Sequence, residues 1–170
     1  NFNYGDNDLF TSIESSSTDR LTESGYKTSN IGFSFGTRFE QYENLFFRPQ
    51  LISDIEKLTT TSTASTAVKK QEGNYFDVNF AYSLDYDVRD KAYQPTDGFN
   101  SSFYQNIPLV SQQNEIINGF EINKYKILMS DMVGKISFYG RAANSITGDD
   151  IRLSKRLFLP SRKLRGFENG

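Results

Sequence analysis

Apolar and polar side chains alternate along much of this chain. The longest alternating stretch is FDVNFAYSLDYDVRD, at 76–90. Its even positions carry aromatic and aliphatic side chains, whereas its odd positions are mostly Asp, Asn and Ser. Successive side chains of a strand point to opposite faces of a sheet. The stretch therefore predicts a strand with one apolar face and one polar face.

The same period of two recurs elsewhere, and no stretch has the period of a helix. Further strands are predicted at 28–40, 45–56, 99–109, 118–129 and 133–146, and NFNY at 1–4 is interpreted as the end of another. Long polar connections, such as those at 6–25 and 58–73, roughly take turns with shorter ones. The sequence thus predicts an all-β chain, an antiparallel meander of about seven strands.

Strand length favours a membrane-spanning sheet over a soluble one. Alternation over 75–89 corresponds to roughly 45 Å of strand at about 3.3 Å per residue, whereas ordinary strands have about 5 to 6 residues. Tilted by about 45°, this strand would cross a hydrocarbon core of about 30 Å. The apolar face carries no charge, as lipid contact requires. We expect the even positions to face lipid and the odd positions to face an aqueous lumen.

Composition excludes several kinds of function. The 170 residues include no Cys and no His, which removes disulfides, thiolate chemistry and the commonest general base. A net charge of −2 provides no basic field for nucleic acid. The longest apolar runs, LFF and ILM, are far shorter than the roughly 20 residues of a membrane helix. An aromatic content of 15% nevertheless favours a folded chain.

Two motifs resemble those of the BamA family, which comprises outer-membrane assembly factors and two-partner-secretion transporters. The first, DYDVRDKAYQPTDG, is similar to a strand and turn of the family and matches it at Asp87, Arg89, Asp90, Pro95, Thr96 and Gly98. The second, in RLFLPSRKLRGFENG, resembles the family's sixth-loop signature and comprises Leu164, Arg165, Gly166 and Phe167. The motifs occur in the family's order, separated by about three predicted strands.

The resemblance implies a partial transmembrane β-barrel, in which these strands belong to a barrel of roughly sixteen. Residues 1–170 are then expected to be a fragment of one barrel domain, with POTRA modules and further strands elsewhere in a longer chain. The implied function is the insertion and folding of β-barrel proteins in the bacterial outer membrane. The implied partners are the outer-membrane lipid bilayer, unfolded β-barrel client proteins and lipoprotein subunits of an assembly complex, without nucleic acid. Neither an enzymatic activity nor a cofactor or metal is expected.

Arg165 also has a physical interpretation of its own. A guanidinium in a polar lumen can donate two parallel hydrogen bonds to one carboxylate and so hold a loop against the wall. Gly166 permits a close backbone approach, and Phe167 adds an apolar contact. The alternative is a solvated arginine in an ordinary loop.

Several other functions remain open from the sequence. A two-partner-secretion pore, a related factor for autotransporters, a passive porin-like barrel and a soluble binding domain all accommodate alternating strands. Asp85 and Asp87 share a strand face and could form a hydrolytic carboxylate pair, although acids lining a lumen are more ordinary. The turn motif favours the assembly factor.

Overall fold

Seven antiparallel strands form one sheet, in which each strand pairs with its neighbours in the sequence. The computed structural model describes residues 8–20, 25–130, 132–148 and 150–157. The strands are β1 (Asp8–Arg20), β2 (Tyr26–Tyr42), β3 (Leu45–Thr60), β4 (Gly73–Asp87), β5 (Gly98–Val110), β6 (Glu115–Met129) and β7 (Met132–Ser145). This order confirms the predicted all-β antiparallel meander.

The connections lie at two opposite ends of the sheet. At one end, here called the loop side, lie the end of β1, the start of β2, the connections 61–72 and 111–114 and the start of the segment that follows β7. At the other end, the turn side, lie the connections 43–44 and 88–97, the end of β6 and the start of β7. The polypeptide from 150 to 157 therefore starts from the loop side.

The prediction for 6–25 was wrong, because most of this polar stretch is strand β1. All 13 residues of β1 pair with β2, from Asp8 opposite Arg38 to Arg20 opposite Tyr26. Only the first half of β1 alternates clearly, with Leu9 and Ile13 on its apolar face. Its second half is rich in Ser and Thr, and its backbone groups on the β2 side are paired in the ladder with β2. The predicted strand end at 1–4 lies outside the described residues.

The expectation of no helix was also wrong in detail. A four-residue helix, α1 (Thr66–Lys69), forms inside the long connection between β3 and β4. Ser65 caps it by accepting a hydrogen bond from the amide of Val68. One 3₁₀ turn follows β7 at Leu153–Lys155. No helix in the described ranges is long and apolar enough to cross a bilayer.

One face of the sheet, here called the outer face, presents apolar side chains to the surroundings. Cross-strand pairing sets Phe35 beside Leu51, Leu51 beside Phe80 and Phe80 beside Ile107, so the apolar sets predicted for separate strands form one band. Leu51 is 46% exposed. Large apolar side chains of the outer face that are exposed also include Leu9, Ile13, Ile31, Phe33, Ile55, Phe76, Phe120, Ile136 and Phe138.

The opposite face, here called the inner face, is polar and partly covered. Asp77 and Asn79 on β4 are only 2% and 6% exposed, although both carry polar side chains. A protein that folds in water buries its apolar face, whereas here the apolar face is open and the polar face is covered. A contiguous exposed apolar face of this extent marks a surface that contacts a membrane or another protein. The distribution matches the expected lipid-facing and lumen-facing sides.

Candidate functional site

The first motif forms an ordered connection on the turn side, where β4 ends. Arg89 donates hydrogen bonds from Nε and Nη2 to the two carboxylate oxygens of Asp87, at 2.8 and 2.6 Å. These parallel bonds are the bidentate geometry that a guanidinium forms with a carboxylate. The hydrogen bonds to Asp87 are the main reason that the pKa of Arg89 is raised. The pair fixes the path of the chain as it leaves the strand.

Asp90 holds the connection together from within. It accepts hydrogen bonds from the amides of Thr96 and Asp97, at 2.8 and 3.1 Å, and from the Thr96 hydroxyl. These bonds to the ionised carboxylate lower the pKa of Asp90 to about 2. Asp90 thus ties the start of the connection to its end.

Gly98 closes this connection at a position that excludes any side chain. Its φ is +91°, in the region that favours glycine. A Cβ here would lie 2.2 Å from the carbonyl oxygen of Val88. Pro95, which follows the left-handed Gln94, restricts the backbone between Asp90 and Gly98. The structure therefore brings Asp87, Arg89, Asp90, Thr96 and Gly98 into one compact turn.

The second motif, Leu164, Arg165, Gly166 and Phe167, lies outside the described residues. The segment that leads toward it is described as far as residue 157 and holds the most buried charged side chain among the described residues. Arg152 is 0% exposed, although it lies in a connection rather than in a strand. Its burial makes it the centre of a second polar site, on the inner face.

Arg152 is bound to the sheet by hydrogen bonds and a ring contact. Nη1 and Nη2 donate to the two oxygens of Asp77, at 2.8 and 3.1 Å. Nη1 also donates to Glu56 at 3.4 Å, and the guanidinium carbon lies 3.9 Å from the centre of the Tyr75 ring. The guanidinium is thus held by carboxylates and stacked on an aromatic face, an arrangement that Lys does not reproduce.

The residues that follow Arg152 continue the contact with the sheet. The amide of Leu153 donates to Gln71 at 2.9 Å, and the Ser154 hydroxyl donates to Glu56 at 2.8 Å. Leu153 also packs in a small apolar cluster with Tyr26, Leu58 and Tyr75. Three consecutive residues therefore contribute hydrogen bonds, and one of them adds apolar burial.

Negative charge exceeds positive charge around this site. Four carboxylates, those of Asp54, Glu56, Asp77 and Glu115, surround the two cations Arg152 and Lys155. Burial alone would lower the pKa of Arg152, but its hydrogen bonds to Asp77 and the nearby negative charges raise it. Arg152 consequently remains charged at every physiological pH.

The geometry is that of an attachment site rather than a reaction centre. The carboxylates of Asp54, Glu56 and Asp77 are engaged with Arg152, Lys155 or a hydroxyl, apart from one buried oxygen of Glu56. Asp85, considered above as half of a hydrolytic pair, accepts hydrogen bonds from Ser83 and Ser102. Within the described ranges, no group of three or more His, Cys, Asp or Glu side chains is suited to a metal ion.

The sequence analysis did not identify Arg152 as a functional residue. Its partner Asp77 was correctly placed on the polar face of β4, but the two are separated by 75 positions. A signal was available in DIRLSKR, where cations flank an apolar residue after a predicted strand. That pattern is too common in loops to identify an anchor.

An antiparallel sheet with an apolar outer face, and an inner polar face on which its own chain docks, defines a protein of the transmembrane β-barrel class. The family comparison makes this class more specific, because the model of the Omp85 superfamily domain matches residues 2–170. The chain therefore belongs to the Omp85 superfamily, which covers outer-membrane protein insertion and two-partner secretion. No curated protein matches this chain significantly.

Proposed function

We propose that this protein is an assembly factor of the BamA type, which inserts and folds β-barrel proteins in the bacterial outer membrane. Membership of the Omp85 superfamily supports the broader class. The observation that favours an assembly factor within it is the turn-side connection built from Asp87, Arg89, Asp90 and Gly98, which matches the family motif.

The proposed mechanism uses backbone hydrogen bonding rather than covalent chemistry. Strand edges present unpaired N–H and C=O groups, which can template a strand of another protein. Unfolded β-barrel proteins are the proposed clients, and lipoprotein subunits are the proposed accessory partners. The outer face contacts the lipid of the outer membrane.

A two-partner-secretion pore is the second candidate function. The polar inner face supports it, because charged side chains such as Arg48 and Lys135 would line an aqueous path. A passive porin-like barrel would need the same lining but no client. The two candidates differ from the assembly factor in what is lost when the protein is impaired.

We expect Arg165→Ala, in the full-length protein, to lower the levels of folded outer-membrane proteins in cells that carry only this version. The expected loss is about 1.5 to 3 kcal/mol of loop attachment, the range for hydrogen bonds to charged groups. Arg165→Lys should restore function only partly, because an ammonium cannot form two parallel bonds to one carboxylate.

Quantifying several folded client barrels by their resistance to unfolding in detergent at room temperature tests this proposal. Loss of many unrelated clients supports an assembly factor. Loss of a single secreted substrate, with normal barrel proteins, would instead support the secretion pore. Wild-type levels of all of them with Arg165→Ala would leave Arg165 as a solvated loop residue.

A further inference from the structure

We propose that Arg152 is the positioning residue that attaches the segment after β7 to the sheet, and that this attachment stays in place while the protein works. The proposal rests on the function proposed above only where levels of folded client barrels are measured. The attachment of the segment is measured separately, by cross-linking. It concerns a residue that precedes the sixth-loop motif and belongs to neither of the two motifs.

The path of the chain is the first observation that supports an anchor. Strand β7 ends at Ser145, beside β6, and the amide of Ile146 still bonds to the carbonyl of Asn114 at 2.8 Å. Arg152 nevertheless reaches Asp77 on β4, which is separated from β7 in the sheet by β5 and β6. The segment therefore turns back across the inner face instead of continuing away from the loop side.

The destination of the segment is built from several parts of the sheet. Asp77 belongs to β4 and Glu56 to β3, and together these two strands form what is called here the wall. Ser111, from the connection between β5 and β6, donates to Asp77 at 2.6 Å and so orients the carboxylate that Arg152 binds. The binding site for Arg152 is thus formed by carboxylates of the wall and by Ser111, which orients one of them.

The kinds of contact indicate a lasting attachment. A fully buried guanidinium with a bidentate carboxylate and a ring contact is costly to extract, because Asp77 and Glu56 would lose their main counter-charge. Leu153 would at the same time leave its apolar cluster. Exposed ion pairs are weaker and are easily broken. Lys126 and Asp97 on the turn side form such a pair, with side chains 66% and 56% exposed.

The location gives the anchor a consequence for function. Arg152 lies thirteen residues before Arg165, so fixing it limits how far from the wall the sixth-loop motif can lie. A loop held at its start also explores fewer conformations, which lowers the entropy cost of any further attachment. Arg152 therefore acts through the segment it positions and does not itself contact a client.

The test uses the absence of cysteine from this chain. Asp54→Cys and Lys155→Cys place two thiols at a pair whose side chains lie 3.9 Å apart and which includes neither Arg152 nor its carboxylate partners Asp77 and Glu56. In a full-length protein without other cysteines, a short, reducible, bifunctional thiol reagent is applied to isolated outer membranes, and the yield of the cross-link measures how often the segment is seated. Levels of folded client barrels in the same strains are the second readout.

Four versions of residue 152 and its neighbourhood are compared in this background. Arg152→Ala should shift the seated-to-unseated ratio by roughly 10- to 150-fold, the equivalent of one or more charged hydrogen bonds. Arg152→Lys should give an intermediate yield. Arg156→Ala is the matched control, because Arg156 lies in the same segment but is exposed, and its side chain donates to the backbone carbonyl of Ile151. Its yield should equal that of the parent.

The levels of folded client barrels distinguish a lasting attachment from a segment that must leave the sheet during function. Cross-linking the Arg152→Ala version should restore client levels, and reduction of the cross-link should lower them again. Cross-linking the parent should leave client levels unchanged. If cross-linking the parent blocked client assembly, the segment would have to move and the lasting attachment would be refuted.

Two further outcomes would overturn the role of Arg152 itself. A parental cross-link yield with Arg152→Ala would show that the segment is held by other contacts. Arg152→Ala could also give a low cross-link yield and low client levels that the cross-link does not restore. Arg152 would then do something other than position the segment. Should Arg152→Ala fail to reach the membrane, Arg152→Lys and Arg156→Ala provide the same comparison. A low yield with Arg152→Ala, in cells whose client levels stay normal even when the whole protein is depleted, would reject the proposed function and keep the anchor.

Discussion

Asp77→Ala is expected to lower the free energy of unfolding of the barrel by about 3 to 5 kcal/mol, the cost of removing one partner of a buried ion pair. Asp77 accepts two hydrogen bonds from Arg152 and one from Ser111. Without it, the buried guanidinium keeps only the longer bond to Glu56 and the distant one to Gln113. Most of the loss therefore comes from leaving a cation buried without its main counter-charge.

A double-mutant comparison separates this effect from a general loss of packing. Arg152→Ala combined with Asp77→Ala should cost less than the sum of the two single changes, since the second change removes the stranded charge. Asp97→Ala is the matched control, because its partner Lys126 lies 3.8 Å away and both side chains are exposed. Such a pair contributes about 0 to 1 kcal/mol. Urea-induced unfolding from lipid vesicles measures all four variants, and additive costs would contradict a direct coupling.

Leu51→Arg is expected to lower the free energy of unfolding in a bilayer by about 2 to 4 kcal/mol, the cost of a cation near the bilayer midplane. Leu51 lies on the outer face between Phe35 and Phe80, in the middle of the apolar band. In water the same change would be nearly neutral, because Leu51 is 46% exposed and a surface substitution alters stability by about 0.5 kcal/mol or less. The size of the effect therefore identifies the solvent of the outer face.

Ser29→Arg is the matched control for Leu51→Arg. Ser29 lies on the outer face of β2 beyond the apolar band, opposite Lys57 on β3. A cation there reaches the polar boundary of the membrane and should cost less than 1 kcal/mol, since the penalty falls to about 0 to 1 kcal/mol near the interfaces. Equal costs at the two positions would argue against a bilayer around this band.

Much of the sheet could be predicted from the sequence, because the face of a strand residue is a local property. The alternation in 76–90 was enough to place Asp77 on the inner face and Phe76 on the outer face. Strand β1 escaped prediction because Ser15, Ser17 and Asp19 occupy its outward positions beyond Ile13. The second half of β1 is specified by its pairing with β2. The pattern of side chains within β1 alone does not reveal this pairing.

The site around Arg152 on the inner face was less predictable, because it depends on the path of the segment that follows β7. Alternation places carboxylates on the inner face but does not say which cation meets them. A bidentate arginine that holds a segment against the wall, the chemistry expected of Arg165, is present at Arg152. The turn motif was more accessible, since Asp87, Arg89 and Asp90 are close in sequence and their hydrogen bonds span few residues.

The central claim is that the outer face contacts lipid while the inner face borders an aqueous lumen. Single cysteines on opposite faces of the same strand test it most directly: Phe47→Cys against Arg48→Cys on β3, and Ile136→Cys against Lys135→Cys on β7. Arg48 and Lys135 are exposed inner-face positions, which makes them better reporters than Asp77 and Asn79, both buried on the inner face.

The measurement is the extent of reaction with a water-soluble thiol reagent in intact outer membranes. Thiols at Arg48 and Lys135 should be labelled, because water reaches them and allows the reactive thiolate to form. Thiols at Phe47 and Ile136 should be protected by lipid, and should become reactive when the protein is unfolded in denaturant. Equal labelling of both faces in the folded protein would contradict the account.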